Sequence, residues 1–116
     1  MIRRGEVRLV DFEPVLGSEA NKRRPAVVVS NDRANAAVAR VGRGLVTVVP
    51  LTSNVSRVLP FQVLAPSAES TLRVDSKIQC EQVRSVSSQR VSGALGALPA
   101  PIMQAVDAAL RLHLDL

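Results

Sequence analysis

Pro25-Ala26-Val27-Val28-Val29-Ser30 is a continuous apolar run, entered through Lys22-Arg23-Arg24 and left through Asn31-Asp32. Valines suit a pleated surface, and a run without polar alternation calls for cover on both faces. It predicts a strand in the middle of a sheet. Upstream, Glu6-Val7-Arg8-Leu9-Val10-Asp11-Phe12 alternates polar and apolar residues, as a strand with one buried face does. Between the two, Glu13 to Lys22 reads as a loop, broken by Pro14, Gly17, Ser18 and Asn21. Downstream, Asn31 or Asp32 can cap a short, Ala-rich helix running to Arg40, and Gly42 and Gly44 mark a turn. Leu45-Val-Thr-Val-Val-Pro50 repeats the buried-strand pattern, and Leu51-Thr52-Ser53-Asn54 is its polar exit.

Phe61 to Ala65 predicts another strand, Ser67 to Leu72 a loop, and Arg73–Cys80 and Glu81–Val86 two further short strands. The pattern then changes. Ile102, Val106, Ala109, Leu110 and His113 recur on one face of an amphipathic helix, whose start suits Pro99 and Pro101. Many short strands followed by one helix predict a mainly β fold: a small, strongly bent sheet or partial barrel with a C-terminal helix packed on it. At 116 residues the chain, 1–116, is expected to be one domain.

Hydrophobic residues make up 47% and aromatics only 2%, so the core must be built from Val, Leu, Ile and Ala. The net charge of +5 and a pI near 11.0 point to a polyanionic partner. Nine of the 15 Lys and Arg residues lie in positions 1–43. A single cysteine, Cys80, excludes an internal disulfide or a thiolate zinc site. With no signal-like start and no apolar run of membrane-spanning length, a cytoplasmic protein is expected.

The catalytic inventory is thin. His113, the sole histidine, falls on the apolar side of the terminal helix and excludes a two-histidine mechanism within one chain. Cys80, in a strand-like run, reads as a small buried hydrophobe. Asp75-Ser-Lys77 has the D-x-K spacing of metal-dependent nucleases, but no second acid accompanies it; Asp75 reads instead as paired with a base or bonded to a loop backbone. Two polar segments remain. In Gly17-Ser18-Glu19-Ala20-Asn21-Lys22-Arg23-Arg24-Pro25, Pro25 holds Arg24 extended at a strand threshold, where a guanidinium can grip a phosphate bidentately. In Pro50-Leu51-Thr52-Ser53-Asn54, hydroxyls leave a second central strand. Were those strands neighbours, Thr52 would stand beside the phosphate that Arg24 holds. The plainer reading pairs Arg24 with Glu19 and leaves Thr52 as a strand cap.

At these residues the sequence resembles the MazF/PemK/Kid family of toxin endoribonucleases. Arg4-Gly5-Glu6-Val7 with Val10-Asp11-Phe12, Gly17-Ser18-Glu19, and Arg24 to Ser30 are similar to the family's first half. Val49 to Ser53, Pro60 to Val63, Asp75-Ser76 and Glu81-Gln82-Val83-Arg84-Ser85 continue the match in order. The resemblance implies an SH3-like barrel of the CcdB/PemK/MazF type, working as a homodimer that cuts single-stranded RNA without metal or cofactor. It implies Arg24 and Thr52 at catalytic positions and Glu19 at a position tied to activity, with Ser18, Ser53 and Gln82 near bound RNA. Asn21, Lys22, Arg23 and Asn54 complete the residues expected to touch RNA. A cognate antitoxin with an acidic segment is implied as well. The family's first-strand aromatics are replaced by Val7, Arg8 and Leu9, so stacking on bases falls to Phe12, Phe61 or arginine planes. The chemistry implied is attack by the RNA 2′-hydroxyl, giving a 2′,3′-cyclic phosphate and a 5′-hydroxyl. Two rivals share the fold: a non-catalytic gyrase poison of the CcdB type, and an RNA-binding barrel.

Overall fold

The computed structural model describes residues 1–12 and 22–116, with Lys22 through its backbone alone. Among them are seven strands: β1 (Glu6–Phe12), β2 (Lys22–Val28), β3 (Leu45–Thr52), β4 (Gln62–Ala65), β5 (Ser76–Gln79), β6 (Arg84–Ser87) and β7 (Val91–Ala97). Helix α1 spans Asp32–Val41 and α2 Ala100–Leu114. The sheet runs β4-β5-β3-β2-β1-β7, with β6 also on β3, and these pairings are antiparallel.

Residue parity explains the unbroken apolar runs. On β2, Ala26 and Val28 enter one core with Val10, Phe12, Val46, Val48 and Val86, while Val27 enters the other with Val7, Val49, Leu51 and Ile78. The second core is closed by α2, whose Ile102, Met103, Val106 and Ala109 are buried. Complete burial of a Val, Ile or Met side chain contributes roughly 1.5–3 kcal/mol. The helix begins at Pro99 and is tied to the first strand's approach by an Arg4–Asp107 ion pair.

Helix α1 is polar, and its ends hold it in place. The Asn31 side chain accepts from the Ala34 amide at 2.8 Å, and Gly42, at φ 91°, closes the C-terminus by donating its amide to Val38 O. Buried Asn35 bonds the Ser30 hydroxyl and carbonyl, and the Ser30 Oγ accepts from the Thr47 amide, so the helix is pinned to β3.

Three expectations change. β7 was not foreseen: Val91-Ser-Gly-Ala-Leu-Gly-Ala is largely exposed and pairs with β1 through register shifts, so its partner rather than its own pattern defines it. The predicted strand from Arg73 shrinks to Ser76–Gln79, and a 3-10 turn over Cys80–Gln82 delays the next strand to Arg84. His113 is exposed near the C-terminal end of α2, where its ring meets Phe61 at 5.9 Å. Among the described residues, no helix is long and apolar enough to cross a membrane.

Candidate active site

β3 changes partner along its length. Its residues 48–50 pair with β2, and Leu51 and Thr52 pair with Ile78 and Lys77 of β5. Carrying the register Ala26↔Pro50 two residues further sets Arg24 opposite Thr52, at the point where β3 has left β2. Side chains two residues apart share a face. Arg24 and Thr52 therefore leave on the same face as Ala26 and Pro50, while Leu51 and Ile78 point into the α2-covered core. The condition set by the sequence, that the two central strands be neighbours, is met.

The guanidinium is anchored at one corner. Arg24 Nη2 donates to the Leu51 carbonyl at 3.3 Å and to Gln79 Oε1 at 3.0 Å. These two acceptors take one nitrogen, and among the described residues the fork's remaining N–H groups have no acceptor, which suits them to an anion. Thr52 Oγ1 accepts from the Asn54 amide at 3.2 Å, which spends a lone pair and leaves the hydroxyl hydrogen to donate. Lys77, opposite Thr52 in the ladder, adds a second positive charge and donates to the Arg57 carbonyl at 2.6 Å.

The other predicted residues divide. Arg23 is exposed and, adjacent to Arg24 in the strand, leaves the opposite face, where it stands across from Asp11. Ser53 and Asn54 are exposed just beyond Thr52, and the Asn54 side chain is engaged by Ser56. Gln82 is exposed on the 3-10 turn after β5. Ser18, Glu19 and Asn21, with the proposed Glu19–Arg24 pair, lie outside the described residues, as does the Lys22 side chain. Asp75 accepts from the Ser67 amide at 2.8 Å, the loop-backbone role expected of it. Cys80 is wholly buried, and desolvation, reinforced by Glu81 and Asp107, pushes its thiol up to about 12, so it is no nucleophile at neutral pH.

Three residues of this region were not singled out from sequence. Gln79 holds Arg24 and shares a strand face with Lys77; the alternation Lys77-Ile78-Gln79 was the available signal. Glu81 accepts from Gln62 Nε2 at 2.8 Å, and its Oε1 is buried without a hydrogen-bond partner among the described residues. Arg84 places its guanidinium carbon 5.2 Å from the centroid of the Phe12 ring.

A family model described as PemK-like, MazF-like toxin of type II toxin-antitoxin system matches residues 3–114. The chain belongs to this family. It is 54% identical over 116 residues to the endoribonuclease MazF9 of Mycobacterium tuberculosis, covering all of this chain and 98% of that one. Among solved structures, the MazE-MazF complex (Form-II) of Deinococcus radiodurans superposes with a TM-score of 0.77 at 28% identity, over 98% of this chain and 96% of that one. An endoribonuclease in complex with its cognate antitoxin from a mycobacterial species gives 0.76 at 25% identity, over 98% and 95%. The seven-stranded antiparallel sheet with its C-terminal helix, which the sequence pattern anticipated in outline, matches the MazF structures, as the resemblance implied.

Proposed function

We propose that this MazF-type toxin is an endoribonuclease that cuts single-stranded RNA at the junction of β2, β3 and β5, with Arg24 and Thr52 as catalytic residues. The observation that carries it is the tethered guanidinium: Arg24 is held by Leu51 O and Gln79, on the side chain of the strand position that the β2–β3 register extends to face Thr52. The 2′-oxygen attacks the adjacent phosphorus, the bond to the 5′-oxygen breaks, and the proton lost from the 2′-hydroxyl is matched by one gained at the leaving 5′-oxygen. Arg24 neutralises charge on the phosphorane, and Thr52 donates to a non-bridging oxygen. Neither role needs a metal. A guanidinium titrates only above about pH 12, which makes it a poor proton acceptor, so that part falls to a carboxylate. Glu19 is the candidate.

The RNA contacts extend over Ser18, Asn21, Lys22, Ser53, Asn54 and Gln82, while Arg23, on the opposite face of β2, adds positive charge to the surface rather than a contact at the cleavage point. The partners we assign are a second copy of the chain and an antitoxin with an acidic segment, in line with the solved toxin–antitoxin complexes. The basic first 43 residues suit such a segment as well as they suit RNA. The expected compartment is the cytoplasm. A synthetic single-stranded RNA incubated with EDTA is expected to be cut to a 2′,3′-cyclic phosphate and a 5′-hydroxyl. One 2′-deoxy sugar should protect only its own linkage, and Arg24→Ala should lose cleavage while staying folded. Full activity in that variant removes Arg24 from the mechanism.

A further inference from the structure

The chain has no Trp or Tyr and two Phe, so a site that reads RNA bases has few surfaces on which to stack them. Phe61 is occupied with His113 of α2. Phe12 is different. It is 8% exposed, locked into the core between β1, β2, β3 and β6, and it follows Val10 on the same face of β1. Val10 is the ladder partner of Arg24, so Phe12 sits one face repeat, roughly 7 Å along the strand, from the backbone position that faces Arg24.

Arg84 lies over that ring at 5.2 Å, within the range of a cation–π contact. It is exposed, is held in no ion pair among the described residues, and begins β6 two residues after Gln82. The short turn 80–82 links it to Gln79, the residue that holds Arg24. A planar guanidinium with one face on a rigid ring presents its other face to solvent, and that face stacks on any nucleobase. The buried ring fixes the arginine, which reduces the ordering cost of binding.

We propose that Arg84, backed by Phe12, is the platform on which a base flanking the scissile phosphate stacks, making it a determinant of the RNA sequence this enzyme selects. The assignment rests on the RNA-cleaving reading above and adds to it the surface that recognises the base. It also separates two roles for arginine at one site: Arg24 faces phosphate through its N–H edge, and Arg84 faces a base through its plane.

The test measures binding by fluorescence anisotropy to an RNA that carries a 2′-deoxy sugar at the scissile nucleotide, with abasic sites placed one at a time along it. Wild type is expected to lose about 5- to 100-fold in affinity when the stacked base is removed. Arg84→Lys, which keeps the charge but not the plane, should bind the intact strand weaker by a similar factor and be insensitive to an abasic site at that position alone. Phe12→Leu should show the same position-specific loss in milder form. Cleavage of an intact strand by Arg84→Lys should show a raised KM with kcat little changed. Wild-type affinity in Arg84→Lys overturns the proposal, since charge alone would then suffice; so does an abasic penalty that persists in the variant. A wild type that shows the position-specific profile yet cuts no RNA supports the platform and refutes the cleavage reading. Cutting without any such position does the reverse.

Discussion

Replacing Gln79 by leucine unties Arg24 without altering the guanidinium. Arg24 Nη2 has two acceptors, Gln79 Oε1 at 3.0 Å and Leu51 O at 3.3 Å, so the substitution removes the shorter bond and keeps the longer. A hydrogen bond to a charged group is worth about 1.5–3 kcal/mol, and the half-buried setting of Arg24 favours the lower end. If that energy holds the fork in its productive pose, its loss must be repaid before the transition state. About 1.5 kcal/mol then corresponds to roughly a tenfold fall in kcat. Arg24→Ala removes the charge itself, for which about 10²–10³ is expected. The two effects act through one group, so the double variant should be no slower than Arg24→Ala alone. Single-turnover cleavage of a synthetic RNA with EDTA present gives the rates, and urea melts show whether each variant is folded. Gln79→Leu at the wild-type rate, or a further tenfold loss when it is added to Arg24→Ala, refutes the tether.

Other consequences are open to direct measurement. A Cβ on Gly96 would lie 2.1 Å from Thr71 Oγ1 and 2.7 Å from Thr71 Cβ, so Gly96→Ala should lower stability by about 1–3 kcal/mol in urea melts, and Thr71→Gly should restore part of it. The Asp32 carboxyl is held below its ordinary 3.8 by the Arg4 amide first and the Asn35 side chain second, so it stabilises the fold above that pH and ceases to as pH falls through its lowered value. Wild type should therefore exceed Asp32→Asn in stability near neutrality, with the gap closing below pH 3.8; a gap unchanged in strong acid refutes this. Cys80, buried with its thiol raised to about 12, should resist a disulfide reagent in the native protein and react at once in urea.

The readability of this chain follows from where each signal resides. β2 and β3 were plain because every residue of 26–28 and 46–49 except Thr47 is buried, and the run of valines records that. α1 was plain because its caps are local, Asn31 at one end and Gly42 at the other. β7 was not, since its glycines and serine carry little strand preference and its ladder is dictated by β1. Arg24 and Thr52 could be nominated separately, but their adjacency depends on a ladder register that the two segments do not encode alone. Gln79 and Arg84 escaped for the same reason: each acts on a residue more than fifty positions away, and its own neighbourhood shows at most which face it takes, not what it touches. His113 meets Phe61 as a residue at the core's edge should, yet stays exposed, because helical periodicity fixes a direction around the axis without saying how far the core reaches along it.

The change of partner along β3 gives this site a mechanical sensitivity. Arg24 belongs to the large ladder of β1, β2 and β3, whereas Gln79 and Lys77 ride on the small β4–β5 hairpin, and the final residues of β3 are the splice between them. Any breathing of the hairpin against the larger sheet stretches the Arg24–Gln79 link and strains the α2-covered core, in which Ala65 and Ile78 of the hairpin are buried. Turnover is thus coupled to the stiffness of that splice. A molecule that wedges the hairpin outward by an ångström or so is expected to slow the enzyme about as much as Gln79→Leu does, without occupying the place of its substrate.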